Sequence, residues 1–157
     1  MSAPSELFDI DSPESLFGLL KATFDNYRRI RGKRTQDLLF LLFGLTHLRE
    51  WIAPGYDHAL PPITAEELFY QRIFQLPEFK MIQSLCNRSK HMSASATLSA
   101  SYGATIDDCP DIDSITDFDR GSPTDYFVNG QSVEPAIATI LAFYEGEWFR
   151  QERGNVV

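Results

Sequence analysis

Cysteine is scarce in this 157-residue chain: Cys86 and Cys109 are the only two, and neither belongs to a CxxC pair. That count excludes a disulfide framework and argues against a thiolate zinc site. Histidine is nearly as rare, so imidazole chemistry is limited to His47, His58 and His91. Long apolar runs are missing as well. The longest, Leu38 to Leu45 with Gly44 inside it, is about half of what a bilayer span requires. The opening Met-Ser-Ala-Pro-Ser-Glu has neither the basic start nor the apolar stretch of a secretory leader. A cytoplasmic, reducing setting away from membranes is the expectation. Positive charge is in deficit too, and a formal net charge of −8 argues against a chain that embraces a phosphate backbone as a whole. No glycine-rich phosphate loop, GxSxG or HExxH motif occurs.

What the chain does hold is rings and helical periodicity. Twelve Phe, six Tyr and two Trp predict a ring-rich core. Length and composition fit one domain spanning residues 1–157. Residues 1–11 read as a loose lead-in and 154–157 as a frayed tail. Ser12-Pro13-Glu14 makes a helix start, with a hydroxyl cap, proline at the first position and an acid in the first turn. Leu16, Leu20, Phe24 and Tyr27 then recur at helical spacing, and Gly32 can end the helix. A second helix is predicted from Thr35 to Ala53; its apolar stretch faces all directions, which marks a helix enclosed by others. Thr64 and Glu67 form a capping box for a short third helix. Pro77 opens a fourth, running to about Met92, with Phe79, Ile82, Leu85 and Cys86 on its apolar stripe.

After that the period changes to two. From Ser93 to Tyr102 small apolar residues alternate with Ser and Thr, which predicts a half-buried strand lying close against a helix. Residues 107–125 hold seven Asp and one Arg and read as an acidic surface loop. Tyr126-Phe127-Val128 and Gln131-Ser132-Val133 flank Asn129-Gly130, a two-residue hairpin signal. A last helix is expected from near Pro135, burying Ile137, Ile140, Leu141, Tyr144 and Trp148. The fold class is therefore mainly α (α+β): a bundle of four to five helices with a small antiparallel hairpin or sheet before the last. Trp51 and Trp148 each end an apolar helical stripe and are expected to be substantially buried.

The candidate catalytic residues are His47, Glu50, Asn87, Lys90 and His91. His47 and Glu50 are three apart and share a helix face; in an enclosed helix an imidazole needs partners, and Glu50 is a natural one. On a helical wheel Asn87 and His91 fall opposite the fourth helix's apolar stripe, turned to solvent or to a second, polar contact. As an acid–base set these residues would suit phosphodiester hydrolysis centred on His91. A metal would need His47, Glu50 and His91 in one place; no metal and no cofactor is expected. Asp111, Asp113, Asp117 and Asp119 of the acidic loop are candidates for docking a basic protein partner. Nucleic acid would find a patch only at the Arg28–Arg34 corner, which holds five of the fourteen basic residues. A protein partner is the expectation, and no oligomeric state can be read.

His47-Leu48-Arg49-Glu50-Trp51 on one helix and Asn87-Arg88-Ser89-Lys90-His91 at the end of another resemble a pattern in small bacterial helical proteins of no established activity. The aromatic strand, tight turn and ring-rich final helix resemble the same pattern. More distantly, a polar helix ending in histidine inside a bundle resembles HEPN domains, many of which are metal-independent ribonucleases or their inactive relatives. Catalytic HEPN domains place an Arg, four to six residues and then a His. Arg88 precedes His91 by only three positions, so the resemblance implies a degenerate site in which Asn87, Lys90 and His91 hold structure or touch a partner. The leading expectation is a non-enzymatic macromolecule-binding protein of immunity, antitoxin or defence-accessory type; the alternative is a HEPN-like ribonuclease or other hydrolase centred on His91.

Overall fold

The computed structural model describes residues 10–91, 98–101 and 123–150, with side chains 88–91 left out of account. Five helices and a three-stranded sheet make up a mainly α fold: α1 (Pro13–Arg29), α2 (Thr35–Ile52), α3 (Ala65–Phe74), α4 (Pro77–His91), β1 (Leu98–Ser101), β2 (Asp125–Val128), β3 (Gln131–Ser132) and α5 (Val133–Tyr144). The last helix runs on into a π-helical turn at Glu145–Phe149.

Local chemistry sets the helix ends. Ser12 caps α1, with Pro13 at its first position and Ser15 returning the bond to the cap. The helix stops at Arg29, before Gly32, because Lys33 closes it. The Lys33 ammonium donates to the carbonyls of Tyr27 and Arg28 and lies over the Tyr27 ring at 4.6 Å, which satisfies orphan carbonyls at a helix C-terminus. Thr64 and Glu67 form the expected box on α3: the Glu67 amide donates to Thr64 Oγ1, and the Thr64 amide donates to Glu67 Oε2. The Ile63 amide donates to the same carboxylate. These bonds hold the Glu67 carboxyl below its ordinary range.

The centre of the bundle is α2. Leu38, Leu41, Leu42, Leu45 and Leu48 are all buried, which fits its uniformly apolar sequence. Gly44 lets α1 approach: a Cβ there would overlap Leu20 Cδ2, and Leu20 is fully buried. The α2 and α4 helices run antiparallel, since Thr46 meets Cys86 (Oγ1–Sγ 3.2 Å) while Arg49, one turn on, meets Phe79, several residues earlier in α4. From the other side α5 seals α2, with the buried Tyr144 hydroxyl donating to the Leu45 carbonyl at 2.6 Å. Desolvation raises the Tyr144 hydroxyl's pKa, so it is a neutral donor throughout the working pH range. The π-helical turn places both Trp148 and Phe149 inward: Phe149 stacks on Phe17 at 4.3 Å, and Trp148 tilts against Phe69 at 5.5 Å.

The sheet has the order β1-β2-β3, antiparallel throughout. Asn129 (φ 51°) and Gly130 (φ 81°) turn β2 into β3, which are the two positive angles of a type I′ hairpin. Asp125 belongs to β2 rather than to the loop; it accepts from Ser132 Oγ at 3.0 Å and so braces the hairpin. The last helix begins at Val133, two residues before Pro135.

Two expectations are corrected. The strand described is Leu98–Ser101, with Ala100 exposed rather than packed against a helix; its partner is β2, and Ser93 to Thr97 lie outside the described residues. Trp51 is 41% exposed, because Leu48 and Ile52 carry the buried stripe at that end of α2 and turn Trp51 outward. Trp148 is half-buried.

Candidate functional site

Of the five predicted catalytic candidates, His47, Glu50 and Asn87 have described side chains. His47 Nδ1 and Glu50 Oε2 do pair, at 2.9 Å, but on an open flank of α2, with side chains 36% and 53% exposed. The expected buried imidazole is thus a surface one. The reason is rotational: Leu42, Thr46 and Arg49 form the stripe that meets α4, and His47 sits about 100° round the helix from Thr46. His91 ends α4, five residues past Cys86, or about 7.5 Å further along that axis. That displacement leads away from the Arg49 end. His47 and His91 therefore stand at different levels of the α2–α4 pair. The Lys90 and His91 side chains, and all of Asp111, Asp113, Asp117 and Asp119, lie outside the described residues. Among the described residues no three His, Cys, Asp or Glu side chains come together as a metal site, and no helix is long and apolar enough to cross a membrane.

Four of the five basic residues at the Arg28–Arg34 corner have partners within the fold, and Arg31 is exposed. Lys33 is buried as the α1 cap, Arg28 pairs with Glu134 at 3.2 Å and Arg34 with Asp37 at 2.9 Å. Arg29 Nε donates to the Asp25 carbonyl at 3.3 Å.

A different site emerges from the same helices. Asn87 opens onto a cleft of about 410 Å³, lined also by Arg49, His58, Tyr70, Gln71, Phe74, Gln75 and Gln83. Four segments build it. Arg49 comes from the α4-facing stripe of α2, and Tyr70, Gln71 and Phe74 from the inner side and end of α3. Gln83 and Asn87 are one turn apart on α4. His58 rides on the loop between α2 and α3, which is pinned by Tyr56: its hydroxyl donates to the Leu60 carbonyl at 2.7 Å and accepts from Gln71 Nε2 at 2.7 Å. The Asp57 side chain accepts from the Ala59 amide at 3.0 Å, an Asx turn that fixes the loop beside His58.

Arg49 dominates this cleft electrostatically. It is 6% exposed, and rings surround it: its guanidinium carbon lies 4.0 Å from the Tyr70 centroid, 4.8 Å from Phe79 and 5.5 Å from Phe74. Cation–π attraction of this kind is worth more when desolvated. One terminal nitrogen reaches the Tyr70 carbonyl at 3.5 Å, the limit of a hydrogen bond, and Nε has no acceptor. No carboxylate pairs with it among the described residues. A buried guanidinium without a counter-anion is unusual, because buried charges are paired as a rule.

Sequence reasoning picked out Asn87 here and passed over Arg49 and His58. The signal for Arg49 was present: a single cation in the Leu42-Thr46-Arg49 stripe of a helix that is otherwise apolar nearly all round. The signal for His58 was not, since its place depends on how a loop folds back over α3. No protein-family model, curated protein or solved structure matches this chain.

Proposed function

We propose that this chain is a non-enzymatic protein that works by binding another macromolecule, and that the partner is a protein. The observation that carries this reading is an uneven distribution of exposed apolar side chains. Of the six large ones among the described residues, Leu19, Trp51, Leu60, Ile63, Leu68 and Phe74, five fall between residues 51 and 74, at the end of α2, its following loop and α3. Ile63 is 91% exposed. Apolar side chains concentrated in one stretch at the surface are what an interaction site presents. The net charge of −8 supports a basic partner, steered by opposite charge and held by the apolar centre. An immunity, antitoxin or defence-accessory role has this physical form. The charge and the pairing of Arg28 and Arg34 weigh against nucleic acid.

The alternative, a HEPN-like ribonuclease centred on His91, needs His47 or Glu50 as a second acid–base group. The pairing of those two with each other on an open flank favours the binding reading.

The test compares affinity capture by the wild type with capture by Leu60→Glu/Ile63→Glu, with circular dichroism verifying the fold. A specific partner retained by the wild type and lost by the variant is the expected result; an identical set of retained proteins would refute the apolar surface as the docking site. Cleavage of generic RNA by the wild type, abolished in His91→Ala, would instead establish the ribonuclease.

A further inference from the structure

We infer that the Arg49 cleft is a binding site for a small organic oxyanion, a carboxylate or a phosphate ester carried on a planar body. The inference starts from a missing charge. Arg49 is more than nine-tenths buried, caged by Tyr70, Phe74 and Phe79, and among the described residues it has no carboxylate partner and an Nε without an acceptor. Leaving a cation so desolvated is costly, and the rings fix its position rather than neutralise it. An oxyanion entering the cleft supplies a charge-assisted partner to the guanidinium through its terminal nitrogens, Nε itself being closed to solvent.

The lining supports a ligand rather than an internal counter-ion. Its eight residues contain no Asp or Glu, so no carboxylate lines the cleft. Lys80, with its ammonium 5.4 Å from the Phe74 ring, adds positive charge beside the cleft. The side-chain amides of Gln75, Gln83 and Asn87 make no hydrogen bond among the described residues, and each offers both a donor and an acceptor to a polar body. His58 adds a ring nitrogen on the loop side. Phe74 is partly exposed and presents a flat apolar wall. The volume, about 410 Å³, lies in the small-molecule range of roughly 300–1,000 Å³. One buried guanidinium favours a singly or doubly charged head group over a polyanion. Phe74 belongs to both surfaces, but the titration uses the free chain and the capture test turns on Leu60 and Ile63, which do not line the cleft, so the two proposals fail separately.

The experiment is titration calorimetry of the full chain with benzoate and hippurate as carboxylate probes, and with adenosine and uridine monophosphates as phosphate probes. Benzamide and adenosine serve as uncharged analogues, and acetate and inorganic phosphate as bare anions, all at matched ionic strength. The expected result is saturable 1:1 binding of at least one ring-bearing anion, with the productive arm identifying the head group. Its uncharged analogue should bind roughly tenfold more weakly or worse. Arg49→Met should remove the binding, with circular dichroism reporting whether that variant folds. Gln83→Leu, on a half-buried site that carries no core packing, provides a second variant and should also weaken it. No saturable binding of any probe up to millimolar concentration would overturn the inference. So would binding that is indifferent to the head-group charge, or binding unchanged in both variants.

Discussion

Arg49 and His47 are two residues apart on α2 and have opposite surroundings. Arg49 faces α4 and is enclosed by three rings, whereas His47 faces outward and pairs with a solvent-exposed glutamate. Two residues amount to about 200° of rotation, and that angle alone separates a caged cation from a surface ion pair. An exposed pair like His47–Glu50 adds little to stability. Glu67 is the clearest titrating residue. Its carboxylate accepts from the amides of Ile63 and Thr64, which lowers its pKa in the folded state. A lowered folded pKa contributes stability that is present above the unfolded value, about 4.3 for Glu, and that fades as pH falls through the folded value. Carboxyl-detected NMR should find the Glu67 midpoint below that of an ordinary glutamate, and Glu67→Gln should flatten the acid-side slope of stability against pH. A midpoint at or above the ordinary value would contradict the capping box as the cause.

At the level of elements, the contact between α1 and α2 turns on Gly44. Alanine there regains about 1 kcal/mol of helix propensity but forces the buried Leu20 side chain to move, and overpacking of this kind costs about 1–3 kcal/mol. We expect Gly44→Ala to lower stability by about 1 kcal/mol in urea unfolding, and Leu20→Ala to be less damaging in the Gly44→Ala background than in the wild type. A Gly44→Ala protein more stable than the wild type would mean that the helices do not meet there. Elements governed by local chemistry were legible in the sequence: the Ser12 and Thr64 caps, the Asn129-Gly130 hairpin and the apolar run of α2 each follow from a few adjacent residues. The end of α1 was misplaced because Lys33, not glycine, closes it, by reaching back to carbonyls five and six residues away. The alternation from Ser93 to Tyr102 located a strand without revealing what covers it, since pattern encodes a face and not a neighbour. The cleft was illegible for a similar reason: its eight residues come from three helices and a loop, and only their packing brings them together.

Across the whole molecule the rings tie the distant helices together. Phe69 on α3 touches Phe143, Tyr144 and Trp148 at 5.5–5.7 Å and is itself buried. Phe69→Ala should therefore cost about 3–5 kcal/mol, as large-to-small core changes do, while Leu19→Ala at the exposed surface of α1 should stay within about 0.5 kcal/mol. Denaturant unfolding of both variants measures the difference; similar small losses would show that the aromatic cluster is loosely packed.

The bundle's interior is also assembled out of order. The Leu45 carbonyl waits for Tyr144, Phe17 for Phe149, and the Lys33 amide for the Pro123 carbonyl. A ribosome delivers α1 and α2 long before any of these arrive. During synthesis the nascent helical pair presents leucines and phenylalanines with no lid over them, and it becomes a finished interior only when residues 123–150 have left the exit tunnel.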